Sequence, residues 1–190
     1  MRNIGSILLL GLIVISCKKD DSAAVIQPQM IYKDMNDTAI VFGRNASFDI
    51  DGDNYKDFGF FTELVGYPDE QVDRKRWLVN AAFTTNLPTS QDEHLPVLNY
   101  GDRISDFPGY NWYNASSVVL AQLKFSNNPP PVWEGPWKNA SHRFIPFQLV
   151  KPGGLYNGWI EISFSTDEGK LIIHAAAVSK EPGRAVVAGK

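Results

Sequence analysis

Residues 158–165 read "GWIEISFS". In an extended chain Ile160, Ile162 and Phe164 fall on one side, and Trp159, Glu161 and Ser163 fall on the other. That alternation predicts a β-strand with one buried face. Short apolar stretches of similar length recur on both sides of it. They cover 30–35, 38–43, 46–50, 57–64, 77–83, 117–125, 143–149, 170–179 and 185–189. Between them stand "GRN", "GYPDE", "NNPPP", "KPGG", "STDEGK" and "EPG", all rich in the residues that turns require. Segments 78–83 and 120–125 have a composition that suits a helix, but both are short and neither carries caps. The fold expected is therefore all-β: an antiparallel β-sandwich or jelly roll of roughly ten strands, in one domain over residues 30–190.

Composition narrows the partners. The 190-residue chain has a net charge of −3, so no broad basic field exists to attract nucleic acid. Hydrophobic residues make up 44% of it, enough for a core and too many for a disordered chain.

The first residues read as a targeting segment. Arg2 is followed by "IGSILLLGLIVIS", an apolar run too short to span a bilayer stably, which ends at Cys17, the only cysteine. Residues 14–17, "VISC", resemble a bacterial lipobox. The resemblance implies a signal peptide over 1–16, cleavage after Ser16 and a diacylglycerol on Cys17. The other reading is an ordinary secretory signal with a chance cysteine. Residues 17–29 then form the lipidated cysteine and its tether. The acidic pair Asp20–Asp21 resembles the signal that sends some lipoproteins to the outer face of the outer membrane. The expected location is the outer membrane, lipid-anchored and facing the cell surface. A chain with one cysteine has no internal disulfide, which leaves core and ions to stabilise it.

Residues 47–60, "SFDIDGDNYKDFGF", place four carboxylates within nine positions. Counting from Asp49, the oxygen donors Asp51, Asp53, Tyr55 (through its backbone carbonyl) and Asp57 fall at positions 3, 5, 7 and 9, as a hard cation such as Ca²⁺ requires. Asn54 occupies the sharp-turn position, where a residue tolerant of positive φ is needed. Position 12 is Phe60, so the bidentate glutamate of an EF-hand is missing. The loop resembles the strand-flanked calcium loops of β-proteins, and binding is expected to be weak, in the range of about 10⁻⁴ to 10⁻³ M. Two carboxylates about 5 Å apart repel by roughly 3 kcal/mol at an effective dielectric near 20. The alternative is an open, solvated turn without a metal.

A wider resemblance rests on Tyr32, Asp34 and Asn36; on Asp49 to Phe58; on Tyr156, Gly158 and Trp159; and on Pro182, Gly183, Ala188 and Gly189. These positions resemble a family of secreted bacterial β-sandwich proteins with Y-x-D-x-N, D-x-D-x-D, Y-x-G-W and P-G-x-x-x-x-A-G motifs. The resemblance implies a surface location and a calcium-stiffened sandwich, with no settled activity.

For function, residues 92–136 stand out as rich in Pro, Asn and aromatics. Tyr110, Trp112, Tyr113, Trp133 and Trp137 lie in this loop-like region or just past it. Flat exposed rings stack on sugar faces, which makes them candidate glycan contacts; the other reading is that they plug loops into a core. His94, His142 and His174 have no metal spacing. No G-x-S-x-G is present, and Glu134, Glu161 and Asp106 are the candidates for a glycosidase pair. The sequence thus reads as a lipid-anchored surface protein with a binding or structural role. A carbohydrate-binding module is the alternative, and a polysaccharide hydrolase a more remote one.

Overall fold

A computed structural model describes residues 27–105, 107–114, 117–127 and 129–190. The expected signal peptide over 1–16, Cys17 and most of the expected tether lie outside the described residues, and so does Asp106. Within them the chain forms thirteen strands: β1 (Met30–Val41), β2 (Ala46–Phe48), β3 (Phe58–Tyr67), β4 (Val72–Ala81), β5 (Thr85–Thr89), β6 (Arg103–Ile104), β7 (Asn111–Tyr113), β8 (Val118–Phe125), β9 (Val132–Glu134), β10 (Arg143–Lys151), β11 (Gly154–Ser165), β12 (Lys170–Ser179) and β13 (Val186–Val187). A single 3₁₀ turn, Pro68–Glu70, joins β3 to β4. Residues 78–81 and 120–125 of the segments with helix-suited composition lie in strands β4 and β8, which pair with neighbours in the sheet.

Two antiparallel sheets pack face to face. One has the order β1-β12-β11-β10-β5-β7, the other β2-β3-β4-β8-β9. The core between them joins Phe58, Phe60 and Trp77 of the five-stranded sheet to Phe147, Ile160, Ile162 and Ile173 of the six-stranded one. Trp77 is buried yet satisfied, since its indole N–H donates to the Ile40 carbonyl at 3.1 Å.

The number of strands differs from ten in two opposing ways. Segments 30–35 and 38–43 merge into one strand interrupted by a bulge, while the short strands β5, β6, β7 and β9, which carry too few residues for an alternation to register, add four.

The expectation of one buried face on 158–165 needs correction. Ile160, Ile162 and Phe164 do face the core, but Trp159 is buried as well, on the opposite face. The C-terminal segment folds back there. β13 pairs with β6, and Val186, Ala188 and Ile104 close a second cluster over Trp159, Phe144 and Ala177. The Trp159 indole N–H donates to the Lys190 carbonyl at 3.2 Å. On the main-core side of the same strand Gly158 has no room for a side chain, because a Cβ there would overlap the Phe147 ring and the Ala177 carbonyl.

Candidate functional site

The loop between β2 and β3 holds the aspartates, and its turn is built by their side chains. Asp49 accepts from the amides of Gly52 at 2.7 Å and Asn54 at 2.9 Å; Asp51 accepts from Asp53 at 3.1 Å, and Asp53 from Tyr55 at 2.8 Å. Each is a short polar side chain closing a local turn on backbone N–H groups. Asn54 adopts φ 73°, the left-handed conformation its position calls for. Asp57 closes the loop. Its Oδ2 accepts from the Ile50 amide at 2.6 Å, its amide donates to Phe48 and its carbonyl accepts from Ala82.

Asp49, Asp51 and Asp57 each bring a carboxylate oxygen within 4.8 Å of the others, a group able to hold a metal ion. Asp49 and Asp57 are buried, and the Asp51 side chain is 2% exposed. Asp53, proposed as a ligand from spacing, stays outside this converging group of carboxylates. Two ammonium groups border it: Lys33 donates to the Asp49 carbonyl, and Lys151 pairs with the buried Oδ2 of Asp51.

The electrostatics follow from this crowding. Burial pushes the Asp57 carboxyl up, to about 6, against the Ile50 amide that favours its charge; Asp51, Asp53 and Asp49 add repulsion. For Asp49 burial also works upward. The amides of Gly52 and Asn54, with the charges of Lys33 and Lys56, outweigh it and hold the group below its ordinary value. The loop therefore keeps Asp49 charged while Asp57 retains a proton into mildly acidic solution.

Beside the loop lies a groove of about 670 Å³ bounded by Asp51, Asp53, Tyr55, Phe83, Val150 and Lys151. Phe83 is 93% exposed and Tyr55 77%. Sequence reading missed Phe83 by extending its strand through residue 83. β4 ends at Ala81, and Phe83 falls in the turn to β5.

The five candidate glycan rings do not form one surface. Trp137 is fully buried in the main core, which corrects its assignment as a ligand contact: a large ring just past the Pro-rich loop plugs the sandwich. Trp133 on β9 is half-buried, with Trp77 at 5.2 Å and Phe164 at 5.3 Å between ring centroids. Trp112, on β7 at the edge of the other sheet, packs on Phe107 at 5.8 Å, and Tyr110 meets the same ring at 6.3 Å. Tyr113 alone of the five is exposed. The carboxylates considered as a glycosidase pair are apart too, with Glu134 on β9 in one sheet and Glu161 on β11 in the other.

Comparison with family models, with curated proteins and with solved structures finds no match to this chain.

Proposed function

We propose that this chain is a lipid-anchored, surface-displayed β-sandwich binding protein whose aspartate loop holds calcium and whose ligand is a glycan. The observation that carries the reading is the meeting, in one groove, of the converging carboxylates with two strongly exposed aromatic rings. All-oxygen, carboxylate-rich donors suit hard cations rather than the softer metals that histidine and thiolate select. A sugar has hydroxyl groups for such a cation and an apolar face for Phe83 or Tyr55. The lipid anchor rests on the lipobox at residues 14–17 and the surface location on Asp20–Asp21.

The test is a glycan array probed with the full-length chain, with millimolar calcium and with chelator, next to Phe83→Ala and the double variant Asp51→Asn/Asp53→Asn. Retention is expected only with calcium and is lost in both variants. A thermal melt run alongside checks the ion: binding to the folded state alone adds about 1.4 kcal/mol at ten times Kd, a rise of a few degrees that the double variant lacks. Superimposable wild-type melts with and without calcium would leave the aspartates as a solvated turn. Calcium-dependent melts with no glycan retained would keep the ion and remove the ligand.

A further inference from the structure

The outer face of the six-stranded sheet carries a second polar cluster, assembled from β1, β11, β12 and the residue before β10. His174 is its centre. In the ladder between β1 and β12 the register passes from Asp34–Ala175 to Thr38–Ile173, and between β11 and β12 from Glu161–Ala175 to Ile162–Ile173. His174 therefore has no partner on either side. Such double irregularity aims a side chain that a regular ladder would not.

What it aims at is specific. His174 Nδ1 lies 2.6 Å from Asp37 Oδ1, and Nε2 lies 2.8 Å from Ser163 Oγ. The hydrogen-bond inventory then fixes the tautomer. A carboxylate only accepts, so Nδ1 carries the proton and donates to Asp37. In the neutral imidazole Nε2 is then the acceptor, and Ser163 Oγ, which accepts from the His142 amide at 2.9 Å, donates its own hydrogen there. The histidine is left with a free base site on the serine hydroxyl.

Backbone strain supports the arrangement. Asn36 and Asp37, in the β1 bulge, have φ of 51° and 49°, and His142 has φ 48°. Consecutive non-glycine residues in the left-handed region cost energy and persist where the surroundings impose them. The His142 ring stacks on that of His174 at 4.4 Å and 18°, and Glu161 holds it through Nδ1 at 2.7 Å.

We propose that Ser163, His174 and Asp37 cleave short-chain acyl esters, a hydrolytic activity separate from the groove at the aspartate loop. The chemistry balances with water as co-reactant. Ser163 Oγ attacks the acyl carbon as His174 Nε2 takes the hydroxyl proton. The bond to the leaving alcohol breaks, and His174 returns the proton to its oxygen. Water then adds to the acyl-serine with His174 again as base, the carbon–Oγ bond breaks, and the carboxylic acid leaves as Ser163 regains its proton. Asp37 is a positioning residue, since it touches only the imidazole. Substrate class follows from the surroundings. Asp34, Asp37 and Glu161 put carboxylates on this face, so the substrate is neutral. In the β11–β12 ladder Ser163 faces the half-buried Ile172, and its hydrogen-bond partners are polar, surroundings that favour a short acyl chain.

The full-length chain is treated with a fluorophosphonate, digested and mapped by mass spectrometry, and assayed with p-nitrophenyl acetate and octanoate. The expected result is a phosphonyl adduct on Ser163 and turnover of acetate in preference to octanoate. Ser163→Ala and His174→Gln should each lower turnover about 100-fold or more. Asp37→Asn should lower kcat with KM unchanged, and Asp37→Glu should restore part of it. A wild-type chain that melts cooperatively but leaves Ser163 unlabelled, or turnover that persists in Ser163→Ala, overturns the proposal. Labelling of wild type decides the matter even if a variant fails to fold. His142 immediately precedes β10 and Lys151 closes it, about 30 Å apart at the rise of a strand, so failure here leaves the calcium and glycan reading untouched.

Discussion

The aspartate loop and the histidine pair are both clusters of ionisable groups, yet they are built in opposite ways. The loop gathers its carboxylates from nine consecutive residues, and its own amides organise them, so its geometry is local. The outer-face cluster joins Asp37 to His174 across 137 residues, and it exists only because three strands hold their register around two bulges. The loop concentrates like charge and calls for a counter-ion. The outer-face cluster pairs each imidazole with its own carboxylate and needs none. A local cluster should therefore survive loosening of the sheet, while the non-local one should not.

Ile173→Ala tests this most severely. Ile173 is fully buried and anchors both ladders where they resume beside His174. Truncation should cost about 2–5 kcal/mol and lower the melting temperature by roughly 4–20 °C. Reactivity of Ser163 toward a fluorophosphonate should fall with it, while the calcium-dependent rise in melting temperature stays the same size. Equal loss at both sites would show that the loop depends on the sheet as much as the histidines do.

A smaller effect isolates the loop. Asp57 titrates near 6 in the folded chain against 3.8 ordinarily, so between those values the folded chain holds a proton the unfolded chain has released. Stability from this group is greatest at the acid end and falls as pH rises from about 4 to about 6. Melts in chelator should drop by a few degrees over that window. Asp57→Asn should flatten the dependence, and added calcium should offset the loss above pH 6.

The smallest effect is expected at the stacked pair. His142 is mostly exposed, and its amide, not its ring, holds Ser163. His142→Asn suits the positive φ and should change stability by no more than about 0.5 kcal/mol, with the calcium response unaltered. A large destabilisation in a denaturant melt would mark the ring stack as part of the frame.

How far the residue order could be read follows the same division. The strand character of 158–165, the turns, the all-β class and the left-handed Asn54 depend on neighbours a few positions away, and all were legible. So was the convergence of Asp49, Asp51 and Asp57, though not the exclusion of Asp53, which the Tyr55 amide engages instead. The loop aromatics were ambiguous, because a tryptophan past a Pro-rich loop serves equally as a surface ring or a plug. Packing buried Trp137 and exposed Phe83.

Local chemistry, then, settled which segments extend, where the chain turns and where negative charge accumulates, since φ/ψ preference and short-range repulsion act within a few residues. Which face of β11 carries a second cluster, which rings reach solvent and which serine lies against which histidine were settled by strand order, register and the return of the C-terminal segment. Those depend on contacts between residues far apart in the chain, whose energies are realised only once both sheets are paired and packed.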